Sequence, residues 1–316
     1  MSDIASLAER VGGCRQQTLK NVIDCTGIGL HTGLEVKMTL RPAAPGSGIR
    51  FRRLDVADRD NLVPARYDRT VESLLCTSIA NDAGVEVATV EHLMAALAGM
   101  GVDNLEVELD GPEVPIMDGS SEPFVYLIEC AGVVAQEAER RRIKVLKTIE
   151  VGAAGSWCSL APSRGFSFGF EIEFNNPAVH RSDGFFDLGD GVFKREISRA
   201  RTFGFEREVT KLRQLGLVKG GSLDNAVVIG SDNKILNPGG LRYEDEFVRH
   251  KVLDSIGDLY LAGAPLLAHF QGKRSGHALN NMLLRALFAD PEAWQFTTEM
   301  PEPVYAAPPP AISAIA

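Results

Sequence analysis

An α+β protein with two similar halves is predicted by the order in which two periodicities occur along the 316 residues. Apolar and polar residues first alternate as in strands, helical spacing follows, and the same succession then starts again near residue 143. The run QEAERRR between the two successions has no apolar face. It reads as a linker or as the solvated end of a helix.

Taken in order, LKNVIDCTGIGLHTGLEVKMTLRP alternates around Gly27, Gly29 and Gly33 and predicts two strands joined by a glycine-rich turn. A dinucleotide fingerprint would need a helix after the glycines, whereas LEVKMTL alternates as a strand. In VEVATVEHLMAALAGMGVDNLEVELDGPEVP a short strand runs into a helix over residues 91–97, stopped by Gly99 and Gly101, before the strand LEVEL. A turn-rich loop then leads to a second helix beginning near Glu122. The second half has strands in IKVLKTIEV, SWCSLAP and FSFGFEIEF. Its first helix, EREVTKLRQLG, carries Val209, Leu212 and Leu215 at a spacing of three. The next, FVRHKVLDSIGDLYLAG, follows the acidic Glu244, Asp245 and Glu246, which suit the positive end of a helix, and Gly263 and Pro265 close it. A last helix runs through ALNNMLLRALFAD, and the proline-rich end PEPVYAAPPPAISAIA reads as a mobile tail.

Hydrophobic residues at 45% and charged residues at 24% are ordinary globular values and exclude a disordered, collagen-like or membrane composition. A net charge of -9 argues against nucleic acid as the main partner, because phosphate backbones call for a basic face. The five scattered cysteines lack C-x-x-C spacing and fit a reducing compartment. The start lacks a secretory pattern, and LYLAGAPLLAHF is too short and broken to span a bilayer, so a cytoplasmic location is expected.

His250, Asp254 and Asp258 lie four residues apart and therefore one above another on a helix. This stripe is either the wet side of a surface helix or the source of two metal ligands at i and i+4, as in H-E-x-x-H helices. A catalytic zinc needs three protein ligands and an open position. Among the six histidines, His92 stands out because Glu91 precedes it at a helix start, where a carboxylate could take a proton from water. His277, in KRSGHALNN, is a helix cap, a solvated side chain or a proton donor oriented by Asp258.

TVEHLMAALAGMGVDN, PIMDGSSEPFV, SRARTFGF, LRYEDEFVRHKVLDSIGDL and SGHALNN, in this order, resemble the UDP-3-O-acyl-N-acetylglucosamine deacetylases of lipid A biosynthesis. The resemblance spans residues 17–309. It implies an enzyme, a zinc metallo-amidase that holds one catalytic Zn2+ and removes acetate from an acylated UDP-sugar. His92, His250 and Asp254 match the metal ligands, Glu91 the general base, His277 the general acid and Asp258 its orienting partner. Thr202 matches a hydroxyl that stabilises the oxyanion, and Lys251, Phe203 and Phe205 are counted as substrate-binding. Residues 203–228 match an insert that takes the acyl chain.

The implied fold has two α+β halves, each a sheet layered with helices, with the active site between them. The expected division is 1–136 with a flexible start over 1–14, a linker at 137–142, a second domain at 143–302 and a tail at 303–316. Two features depart from the family. Ser156 stands where a lysine often precedes the tryptophan, which leaves Lys251 or Arg199 as candidates for the phosphates, and HRSDGFFDLGDGVF matches nothing assigned. A silent relative with a structural zinc is disfavoured by Glu91 and His277, and an amidase for another N-acetylated sugar would not need the insert. The expected partner is the acylated UDP-sugar, without nucleic acid or a transmembrane segment; a monomer is compatible with the sequence, and the oligomeric state stays open.

Overall fold

A computed structural model describes residues 14–174, 176–179, 182–189 and 191–304. The predicted flexible start, but for residue 14, and the tail beyond residue 304 lie outside the described residues.

The first half contains β1 (Arg15–Leu19), β2 (Ile23–Ile28), β3 (Glu35–Pro42), β4 (Ile49–Arg53), β5 (Leu62–Pro64), β6 (Thr70–Val71), β7 (Ser78–Ala80) and β8 (Glu86–Val87). Helix α1 (Glu91–Gly99), β9 (Leu105–Leu109), α2 (Glu122–Ala131) and β10 (Val133–Glu139) follow. β2 and β3 form the hairpin expected from their alternation, with Ile23 opposite Leu40 and Ile28 opposite Glu35. Val36, Met38 and Leu40 point into the core while Glu35 and Lys37 face solvent, the period of two that specifies a half-buried strand. The main sheet runs β2-β3-β9-β4-β5, with a small sheet β6-β7-β8 beside it.

The second half contains β11 (Arg142–Val145), β12 (Ile149–Ala153), β13 (Ser156–Pro162), β14 (Phe166–Ile172), β15 (Ser182–Asp187) and β16 (Phe203–Phe205). It continues with α3 (Glu206–Gln214), β17 (Val227–Ile229), α4 (Glu246–Tyr260), β18 (Leu266–Lys273), α5 (His277–Ala289) and β19 (Trp294–Thr297). Its seven-stranded sheet runs β12-β13-β18-β11-β19, with β14 joining through β18 and carrying β15. β16 and β17 pair in parallel across α3, a small βαβ unit that coincides with the insert.

Several expectations need correcting. Residues 137–139, read as linker, continue β10 in its ladder with β1, so the connection narrows to Arg140 and Arg141. The partner strand lies more than a hundred residues away in sequence, which is why no local pattern announces it. The unassigned stretch contributes β15, paired along β14, and leads into a single π-helical turn, Phe193–Ile197. The stripe Val209, Leu212 and Leu215 is not core-facing: α3 has no buried residue, and Leu215 is exposed.

Helices α1 and α4 pack directly on each other, and the buried apolar residues of both halves join in one cluster. Leu93, Met94, Ala95, Ala96 and Leu97 are all inaccessible to solvent, so α1 is wrapped on every side. The approach is close enough that a Cβ on Gly257 of α4 would sit 1.9 Å from the Glu91 carbonyl oxygen. Only glycine fits there, and its absence of side chain brings the first turn of α1 against the middle of α4.

Candidate active site

That contact places His92 of α1 opposite His250 and Asp254 of α4. One donor atom from each of the three lies within 4.8 Å of the others. The Nε2 atoms of His92 and His250 are 3.4 and 3.3 Å from Asp254 Oδ1, and the two rings stand perpendicular with centroids 5.0 Å apart. All three side chains are buried, which decides against the wet-stripe reading of the helix.

His250 Nδ1 lies 3.0 Å from the carbonyl oxygen of Ala200. A carbonyl only accepts, so the proton sits on Nδ1 and Nε2 presents a lone pair. Burial pushes this imidazole down to about 4, despite the opposing charge of Asp254, so it is neutral. Its lone pair therefore faces Asp254 Oδ1, a buried oxygen that receives no hydrogen bond. Two electron-rich atoms converging in a dry site call for a cation between them, and two imidazoles with one carboxylate form a suitable donor set. The Nδ1–H of His250 is fixed by a carbonyl, the kind of outer hydrogen bond that orients a histidine able to ligate a metal.

Around the triad each polar group has a defined role. Lys251 Nζ donates to Asp254 Oδ2 at 2.8 Å. Burial opposes ionisation of Asp254, but His250 and Lys251 win and hold its carboxyl well below the usual range. Burial likewise works against the Lys251 charge and is overcome by Asp254, so the ammonium is retained. Glu91 Oε2 accepts the Thr77 backbone N–H at 3.0 Å, while Oε1 lies 3.9 Å from His277 Nε2. Burial raises the Glu91 carboxyl above its ordinary range, with His277 resisting.

Asp258 is saturated: Oδ1 accepts the Thr77 hydroxyl at 2.6 Å, and Oδ2 accepts His277 Nδ1–H and the Asn280 amide, each at 2.9 Å. Desolvation alone would lower His277, yet the adjoining Asp258, with Glu91 and Asp254, pushes it up to about 9. It is an imidazolium at neutral pH, with Nε2–H directed at the space beside Glu91 and Asp254.

Thr202 follows Ala200 by two residues and is fixed by its backbone N–H to Gly119 and by its carbonyl to Val227, both at 2.8 Å. Gly119 has φ +85° and lies so near the Asn225 carbonyl that a Cβ would sit 2.1 Å from that oxygen. Phe203 packs edge-on against Phe247 at 4.8 Å and lies 6.3 Å from the His250 ring, whereas Phe205 faces Phe174 at 6.2 Å.

Lys251 also lines a cavity of about 320 Å³ with Phe170, Ile172, Glu173, Phe174, Arg274 and Ser275, where Arg274 lies 3.7 Å from the Glu173 carboxylate. Ser156 does not open into this cavity as a charge; its hydroxyl donates to the Arg274 carbonyl at 2.8 Å and steadies the strand end that delivers Arg274. Arg199 lies elsewhere, 3.3 Å from Glu122 along a different groove.

Sequence reasoning missed Thr77, Asn280 and His31. His31 is 6% exposed, with neither ring nitrogen hydrogen-bonded. Its turn is held by the buried Glu113 carboxylate, which accepts from the His31 and Thr32 backbone N–H groups and from the Thr32 and Thr89 hydroxyls. Burial pushes His31 below its ordinary value, with the Glu113 carboxylate resisting. The one available signal was a histidine inside the glycine-rich turn GLHTG.

A buried His-His-carboxylate cluster with a second carboxylate and an imidazolium beside it has the donor set of a candidate metallohydrolase centre. A model of the UDP-3-O-acyl N-acetylglycosamine deacetylase family matches residues 16–289, and the chain belongs to that family. Its relatives include the UDP-3-O-acyl-N-acetylglucosamine deacetylase of Vibrio parahaemolyticus serotype O3:K6, 51% identical over 90% of this chain and 93% of the relative. The enzyme of Vibrio cholerae serotype O1 (strain M66-2) is 50% identical over the same shares. No helix among the described residues is long and apolar enough to cross a membrane.

Proposed function

We propose that the chain hydrolyses the N-acetyl group of UDP-3-O-(3-hydroxyacyl)-N-acetylglucosamine, giving acetate and the free amine, in the cytoplasm and as an early committed step of lipid A biosynthesis. The observation that carries this reading is the convergence of His92, His250 and Asp254 beside Glu91 and the charged His277. These three residues would hold one Zn2+ ion, which when bound supplies a positive charge to polarise the acetamide carbonyl and acidify water.

The remaining chemistry belongs to the chain. Glu91, anchored by the Thr77 N–H, acts in its carboxylate form and takes a proton from the water whose oxygen bonds to the acetyl carbon. The Thr202 hydroxyl donates to the oxygen on which negative charge develops. As the C–N bond breaks, His277 passes its Nε2 proton to the departing nitrogen, and Asp258 keeps the imidazole oriented and charged until then. The cavity beside Lys251 takes the nucleotide diphosphate: Arg274, partly answered by Glu173, and Lys251, whose ammonium also serves Asp254, supply cations, and Phe174 offers a face for the uracil. The β16-α3-β17 unit, with Phe203 and Phe205 at its root, receives the acyl chain.

The test is acetate release from the acylated UDP-sugar by protein stripped with a strong chelator. Turnover should vanish and return with about one equivalent of zinc per chain. Undiminished turnover in metal-free protein would falsify the zinc mechanism.

A further inference from the structure

Three motifs contain charged residues for which the chemistry above has no use: Asp118 in PIMDGSS, Arg201 in SRARTFGF, and Arg242 and Glu246 in LRYEDEF. In the folded chain they meet. Glu246 lies in the first turn of α4, four residues before His250, and is fully buried. Its Oε1 accepts from the Arg201 backbone N–H at 3.0 Å and from Arg201 Nε at 2.8 Å. Its Oε2 accepts from Arg201 Nη2 at 3.1 Å and from the Arg242 backbone N–H at 2.6 Å. Arg242 in turn reaches Asp118 Oδ2 at 2.8 Å and the Arg199 carbonyl at 2.9 Å.

One carboxylate thus ties the start of α4 to residues 199–202. On one side of Arg201 stands Ala200, whose carbonyl orients His250; on the other stands Thr202. We infer that Glu246 is a positioning residue: by gripping Arg201 with both oxygens it holds the Ala200 carbonyl against His250 and the Thr202 hydroxyl against the reacting amide. The partners of its carboxylate are Arg201 and the Arg242 backbone, not His92, His250 or Asp254. The Thr202 half of this inference rests on the deacetylase reading, whereas the His250 half concerns metal affinity alone.

Four donors saturate the carboxylate, and a buried charge pair of this kind is sensitive to loss of either member. In Glu246→Gln the amide NH2 would face a donor from Arg201 or Arg242, and the segment must shift to relieve that clash. Zinc affinity, measured by competition with a chelating dye, should fall about 10- to 100-fold, as is usual when an outer hydrogen bond to a ligand is disturbed. The kcat should fall comparably while KM stays within about twofold, because the cavity at Lys251 and the insert are untouched.

Arg201→Lys, which keeps the charge and removes the fork, should reproduce both effects and decides the matter if Glu246→Gln does not fold. Asp103→Asn is the control: it weakens another partly buried carboxylate, which accepts from Gln17 and Arg140 away from the site, and should lower the unfolding temperature with zinc affinity and kcat unchanged. The inference is overturned if Glu246→Gln or Arg201→Lys lowers the unfolding temperature as Asp103→Asn does yet binds zinc like wild type. Should wild-type protein bind zinc and release no acetate, the deacetylase reading fails, and the zinc affinities still judge Glu246.

Discussion

Helix α4 contributes to two imidazole–carboxylate pairs, His250 with Asp254 and His277 with Asp258, that end in opposite protonation states. The first imidazole is pushed down to about 4 and the second up to about 9. Both face a carboxylate, so the partner's charge does not explain the contrast; burial contributes, since the His250 side chain is 3% exposed and that of His277 18%. The remaining environment supplies the rest. The charge of Asp254 is already answered by Lys251, and His250 has committed its one N–H to a carbonyl. Asp258 accepts no lysine hydrogen bond among the described residues; it receives neutral donors from Thr77 and Asn280, so its charge is left mainly for His277, which also sees Glu91 and Asp254. One pair is thereby fitted to offer a lone pair and the other to offer a proton.

The contrast can be broken at either end. Asp254→Asn should have the largest effect, abolishing zinc retention through gel filtration and taking acetate release to background, since it removes a ligand and leaves Lys251 uncompensated. A variant that kept its zinc would remove Asp254 from the ligand set. Glu91→Gln comes next: zinc content should stay near wild type while kcat falls about 10²- to 10⁴-fold, the usual worth of a general base. Loss of metal without loss of rate after zinc is restored would put the base elsewhere.

Asp258→Asn should act less on rate and more on pH dependence. On the proposed mechanism turnover requires Glu91 ionised and His277 protonated, so the rate should fall as pH drops below the raised Glu91 value and again as pH rises through about 9. Removing the Asp258 charge withdraws the main support of the imidazolium and should move the alkaline limb down by about one to two pH units, leaving zinc content unchanged. An alkaline limb that did not move would mean that another group sets it.

The difference between the two pairs was only partly legible in the sequence. Spacing put His250, Asp254 and Asp258 on one stripe, and the matching motifs separated ligand from orienter; the structure brings the named side chains together as the spacing requires. Spacing could not tell that the stripe is buried, because that depends on α1, whose approach is allowed by Gly257. The roles of Thr77, Asn280 and His31 were invisible for the same reason. Each is set by a partner far along the chain, such as Glu113 beneath the His31 turn, and no periodicity encodes it. Elements with a strong local period, the β2–β3 hairpin and α4 among them, were the readable ones. The extension of β10 was not, since an exposed polar strand looks like a linker until its partner is known.

The smallest expected effects lie in the β16-α3-β17 unit, where the rigidity of the paired imidazoles gives way to half-buried side chains. Val209 and Leu212 are partly covered without joining the main apolar cluster, so their packing partner is not the protein core. If the acyl chain is that partner, Leu212→Ala should raise KM for a long-chain substrate by roughly fivefold, about 1 kcal/mol, less than full burial of a leucine would contribute. Zinc content, the pH profile and kcat should be untouched, and a substrate with a short acyl group should show no change in KM. Equal effects on short and long chains would assign Leu212 to the folding of the insert, whereas a length-dependent KM would mark chain recognition as separable from the chemistry built on α4.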